Sequence, residues 1–114
     1  MSLVKTKHDQ AMDLSDKAEI QRLRGEHEEA ESLFRQAFQL EREAALELIR
    51  VEPDLEPSRS ILLRSAAALA VACSELKDAE ELIALAFAGN PPDEIAGELR
   101  QLREQTQYEH RLQA

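Results

Sequence analysis

Three histidines, one cysteine and two arginines set in an apolar stretch are the side chains best suited to chemistry, and their spacing limits what they can do. His8, His27 and His110 each lack a carboxylate three residues away, so none forms the E-x-x-H pair of a helical di-metal site. An H-E-x-x-H zinc motif is also absent. His27 stands among Glu26, Glu28 and Glu29, a set that suits the start of a helix, where the dipole favours carboxylates, better than a divalent ion. Cys73 is the sole cysteine, which excludes an intramolecular disulfide and a multi-cysteine zinc site. Its apolar neighbours predict a buried small hydrophobe rather than a reactive thiol.

No G-x-S-x-G, Walker or G-x-G-x-x-G pattern occurs, and three separated glycines make no phosphate-cradling loop. Carboxylates are plentiful, yet a catalytic pair needs a cleft that shifts their pKa values. The expectation is a protein that is not an enzyme and carries no cofactor and no metal. Acidic residues outnumber basic ones 23 to 14, a net charge of −9, with no basic block to meet phosphates, so nucleic-acid binding is not expected. The longest unbroken apolar run, Ala66 to Cys73, falls far short of the roughly 20 residues a membrane span needs. With no charged-then-apolar leader at its start, the chain reads as cytoplasmic.

Arg59 and Arg64 interrupt Ser58 to Cys73, SRSILLRSAAALAVAC, which is otherwise apolar almost all round a helical wheel. A helix without a polar face must be covered. A guanidinium on it is paired, reaches water, or awaits an anionic partner. The simplest placement pairs Arg64 with Glu43 or Glu47 of the preceding helix.

The elements that position these residues are helical. One domain's worth of chain, 114 residues, is rich in good helix formers, holds only 3 Gly and 4 Pro, and shows no sustained alternation of β-branched residues. A first helix runs from about Leu3 to Arg24, closed by Gly25, with an Asp13 to Lys17 i,i+4 pair on its polar side. A second covers about His27 to Val51. Glu52 to Pro57 breaks the chain with two prolines, and a third helix opens at Pro57 and ends near Ser74. A fourth spans Lys77 to Ala88, stopped by Gly89-Asn90-Pro91-Pro92. The last begins near Pro92 or Asp93 and frays after Tyr108.

An offset of 49 residues carries Leu14 onto Leu63, Ala18 onto Ala67, Glu26 onto Glu75, Ala30 onto Ala79, Leu33 onto Leu82, Ala37 onto Ala86 and Phe38 onto Phe87. Two helical hairpins are therefore built alike, small residues recurring where helices approach and large ones where they fill a layer. This pattern resembles the tetratricopeptide repeat. Gly25 to Ala30, then Phe34 and Ala37, looks like that family's inter-helix turn and second helix, with Ala18 at its small first-helix position. Ala67, Ala79, Ile83, Ala86 and the closing Pro91 match in the second copy.

Two departures accompany the resemblance. The family repeat is about 34 residues, so roughly fifteen are added, as early and late extensions of the first hairpin. Lys17 and Gln21 also stand where the family often has leucine and tyrosine. The expected fold is all-α: a right-handed TPR-like array of two hairpins, about residues 3–51 and 57–89, with a C-terminal capping helix at about 92–110. The third helix should pack back on the second, with its other sides toward the fourth and the first, burying Leu62, Leu63, Ala66, Ala67, Leu69 and Ala70.

The resemblance implies a protein-interaction module, an adaptor or co-chaperone-like protein that holds a partner protein or peptide in a helical groove. Met12, Ser15, Glu19 and Arg22 of the first helix and Ile61, Arg64, Ala68 and Val71 of the third would line it. Family members that grip a peptide's terminal carboxylate use Lys and Asn, and the one asparagine here, Asn90, lies in a turn. The alternative is a structural, homo-oligomerising helical protein, since two repeats are a short solenoid and the long second helix offers a dimer surface.

Overall fold

Five helices make up residues 2–113, the part of the chain that the computed structural model describes, and no strand occurs among them. They are α1 (Ser2–Leu23), α2 (His27–Val51), α3 (Ser58–Ala72), α4 (Leu76–Phe87) and α5 (Asp93–Gln113).

The 49-residue offset holds hydrogen bond for hydrogen bond at the two inter-helix turns. Gly25 has φ +81° and Ser74 φ +63°, both left-handed. The Gly25 N–H donates to Arg22 O at 3.0 Å and the Glu26 N–H to Gln21 O at 2.9 Å. Their counterparts are Ser74 N–H to Val71 O at 3.1 Å and Glu75 N–H to Ala70 O at 2.8 Å. Each pair is a Schellman motif, which satisfies helix-end carbonyls as the chain turns. The next helix starts at once, Ala30 N–H bonding Glu26 O and Ala79 N–H bonding Glu75 O, each at 3.0 Å. A left-handed residue with a Cβ is strained where glycine is not. Ser74→Gly is therefore expected to stabilise the protein by about 0.5–1 kcal/mol, read as a higher urea midpoint at unchanged slope.

Alanines let the helices close on one another: Ala11, Ala18, Ala37, Ala66, Ala67, Ala70, Ala79 and Ala86 are all wholly buried. Phe34, Phe38, Leu63 and Ile83 fill the space between them. All six residues expected in the core of α3 are buried, and Cys73 with them. Burial pushes the Cys73 thiol up, against the pull of nearby Arg35, which keeps it in its protonated, unreactive form. α1 packs on α2, α2 on α3 and α3 on α4, and α5 lies against both α3 and α4. The shortest dimension, 21 Å, is that of two helix layers. The close helical neighbours of α3 are thus α2, α4 and α5, whereas the sequence points to the first helix as its third neighbour.

The joint between α3 and α4 rests on two charged side chains. Glu56, ahead of a cis peptide bond to Pro57, accepts the Ser60 N–H at 3.0 Å and the Ser60 hydroxyl at 2.7 Å on one oxygen. Its other oxygen accepts the Asn90 N–H at 3.0 Å. Arg59 is buried and donates to Leu85 O at 2.9 Å and Ala86 O at 3.4 Å in the last turn of α4. Burial works to raise the Glu56 pKa, but the bonds from Ser60 and Asn90 and the nearby Arg59 outweigh it and hold the carboxyl below its ordinary value. A depressed folded pKa gives stability that is present above the unfolded value, about 4.5, and is lost as pH falls through the folded one. Glu56→Gln should therefore be less stable than wild type at pH 7, with a smaller loss of Tm on acidification, measured by thermal circular dichroism.

Several smaller points differ from the sequence reading. Among the described residues, the i,i+4 ion pair of α1 joins Lys5 and Asp9 at 2.7 Å, not Asp13 and Lys17. The third helix stops at Ala72, because Ser74 is already left-handed. α5 continues to Gln113 instead of fraying after Tyr108. In its last turns His110 lies 3.3 Å from Glu80 of α4, and the Arg111 guanidinium stands over the Tyr108 ring at 5.9 Å.

Candidate partner-binding surface

The eight residues expected to line a groove divide between α1 and α3. Met12, Ile61 and Val71 are half-buried and packed against the core. Ser15 and Glu19 are half-buried, and Arg22 is exposed. Arg22 donates to Glu19 at 2.6 Å, which lowers the Glu19 pKa and raises that of Arg22. Ala68 is exposed, although it sits in the middle of the most apolar helix. Helical spacing along α3 explains this, since Ile61, Arg64, Ala68, Val71 and Ala72 share the side opposite the buried Leu62, Leu63, Ala66, Ala67, Leu69 and Ala70.

Arg64 pairs with Glu98 of α5, not with Glu43 or Glu47. The two candidate partners are engaged elsewhere, Glu43 by Lys7 at 2.8 Å and Glu47 by Arg50 at 2.6 Å. The pairing follows from the packing: Arg64 lies on the open side of α3, and α5 is the helix that comes up beside it.

Two depressions meet this face. One, of about 310 Å³, is lined by Arg22, His27, Glu28, Ala30, Glu31, Phe34 and Ala72. The other, about 420 Å³, lies between α3 and α5 and is lined by Arg64, Ala68, Glu98, Gln101, Leu102 and Gln105. Arg22 thus belongs to the first, and Arg64 and Ala68 to the second. Arg35 ties the first hairpin to the second beside this surface, donating to Glu75 at 2.5 Å and to Cys73 O at 3.0 Å.

The structure also reveals a polar pair absent from the sequence reading. Glu41 is wholly buried, and the His8 Nδ1 lies 3.0 and 2.9 Å from its two oxygens. The two side chains share a hydrogen bond whose donor depends on the imidazole tautomer. The signal was present in the chain, because Glu41 falls in register with the buried Phe34, Ala37, Phe38, Ala44, Ala45 and Leu48 of α2. An acid on an otherwise apolar stripe calls for a partner.

Among the described residues, no three His, Cys, Asp or Glu side chains are grouped as a metal site requires. No helix among them is long and apolar enough to cross a membrane. Comparison with protein-family models, with curated proteins and with solved structures finds no match to this chain.

Proposed function

We propose that the chain is a non-enzymatic protein-interaction module of the tetratricopeptide-like class, holding a partner protein or peptide along the open side of α1 and α3. The observation that carries this reading is the repetition of the inter-helix turn, with its left-handed residue and Schellman bonds, 49 residues apart. Two hairpins repeated in this way stack as units of a solenoid, and solenoids use the face between repeats for binding. On this reading α5 is the solvating helix that closes the array, and Arg22, Arg64 and Ala68 lie on the binding face.

The test is recovery of binding proteins from native cells by wild type and by Arg64→Glu, with folding checked by circular dichroism. A specific protein held by wild type and lost by a folded Arg64→Glu supports the reading. Equal recovery removes Arg64 from the surface, and a bound cofactor with turnover in the purified protein overturns the non-enzymatic assignment. Self-association is the second reading, favoured by Leu46 and Val51, which stand 45% and 50% exposed on the later part of α2. Light scattering decides it, since a strict monomer at about 50 μM excludes a dimer of ordinary affinity.

A further inference from the structure

We infer that the two depressions beside α3 form one trough, and that it takes an amphipathic helical segment with a small or aliphatic face and a basic end. This rests on the interaction-module reading above. Ala72 lines one depression and Ala68 the other. They are four residues apart on the same exposed side of α3, about 6 Å along its axis. The i,i+4 ridge from Ala68 to Ala72 that runs from one hollow to the other carries only methyl groups, with the half-buried Val71 beside it, so a helix backbone can approach closely along that ridge.

The charges give the occupant its direction. At the α5 end Arg64 is neutralised by Glu98, and the remaining lining is Gln101, Leu102 and Gln105, so that end is uncharged. The opposite end is acidic. Its arginine, Arg22, is held by Glu19, which leaves Glu28 and Glu31 facing the hollow beside His27. The cation near Glu31 is Arg35, at 3.8 Å, and its guanidinium is closer to Glu75, at 2.5 Å. Arg24, on the turn, lies outside the lining. Phe34 and Ala30 form the apolar floor at this end. An apolar floor beneath Glu28, offset by the α2 dipole alone, and Glu31, which shares Arg35 with Glu75, complements an aliphatic side chain flanked by Lys or Arg. The neutral end neither attracts nor repels charge.

The probes are two fluorescein-labelled helical peptides of about 14 residues, identical in their Ala, Leu and Gln positions and differing only in a Lys or a Glu cluster at one end. By fluorescence anisotropy at low salt the Lys-ended peptide should bind about tenfold more tightly, with the gap closing near 0.5 M NaCl. Glu28→Lys/Glu31→Lys should reverse the preference. Glu52→Lys/Asp54→Lys, the same change in net charge made at exposed residues of the α2–α3 connection that line neither hollow, should keep it. Ala68→Arg should weaken both peptides while the circular dichroism spectrum is unchanged.

Equal affinity for the two peptides overturns the inference, as does a preference that responds alike to both charge-reversed pairs. Failure of both peptides to bind, while a native partner is still lost on Arg64→Glu, overturns this occupant and leaves the interaction-module reading standing. Failure of both with no partner sensitive to Arg64 overturns the two together.

Discussion

Arg59→Met should cost about 2–3 kcal/mol, a fall in Tm of about 10 °C for a domain of this size, although Arg59 is far from either depression in its contacts. Arg59 is only 6% exposed, and its guanidinium sits at the end of α4, where carbonyls run out of helical donors. Ala86 O also receives the Gly89 N–H at 3.1 Å, but the side-chain bond to Leu85 O, at 2.9 Å, belongs to Arg59. A cation in that position also meets the negative end of the helix dipole. Methionine keeps the apolar stem and removes the charge, so the loss reports the hydrogen bonds rather than the packing.

Gly89 supplies the sharper half of the same test. A Cβ there would lie 2.2 Å from the Arg59 Nη1, 2.9 Å from its Cζ and 3.0 Å from the Glu56 Oε2. Gly89 lies outside the left-handed region, so alanine fits its backbone and the obstacle is this close approach alone. Gly89→Ala must therefore displace the guanidinium, at about 1–2 kcal/mol. In an Arg59→Ala background only the Glu56 Oε2, at 3.0 Å, is left in the way, so the same substitution should cost much less, a coupling of about 1–2 kcal/mol in a double-mutant cycle followed by urea unfolding. Additive costs would mean that the guanidinium does not rest on Gly89.

What could be read from the chain beforehand follows the range of the forces involved. Helix existence was legible because it is local: Gly25, the two prolines of 52–57 and the Gly89 to Pro92 run punctuate the sequence where the helices break. The buried side of α3 was legible too, because an apolar pattern states which residues avoid water without saying what covers them. Partners across helices were not. Arg64 meets Glu98 because α5 swings up beside α3, and a separation of 34 positions in the chain gives no hint of that approach. Ser74 hid the second Schellman turn, since serine does not announce a positive φ as Gly25 does. Of the expected groove, the exposure of Ala68 and its shared face with Arg64 came from helical spacing. The split into two hollows depends on where α5 and the α1–α2 turn sit.

His8→Ala is expected to be more damaging than removal of the acid it serves. Truncating the imidazole leaves the wholly buried Glu41 carboxylate with no side-chain partner, a loss of about 2–3 kcal/mol once the water admitted by the one-third-exposed His8 site is allowed for. Glu41→Leu removes the buried charge itself and leaves His8 free to turn to solvent, so it should cost less than about 1 kcal/mol. The double variant His8→Ala/Glu41→Leu should accordingly be more stable than His8→Ala alone, by urea midpoint at constant slope. Equal costs for the two single changes would mean that the pair adds net stability rather than merely compensating a buried charge.

The reason to keep such a pair lies in the alignment of α1. A slide of α1 along α2 by one turn would bring Val4, Lys5, Ala11 or Met12 opposite Glu41 in place of His8, and only Lys5, at the cost of its pair with Asp9, could meet it. Lys7 and Glu43, the neighbouring pair at 2.8 Å, is more exposed and adds less discrimination. Glu41→Leu should therefore hold its global stability yet loosen α1, seen as faster amide exchange in residues 3–23 with α3 and α4 unchanged. Since Arg22 and the acidic end of the trough depend on where α1 sits, that variant would also separate the stability of the fold from the shape of the surface it presents.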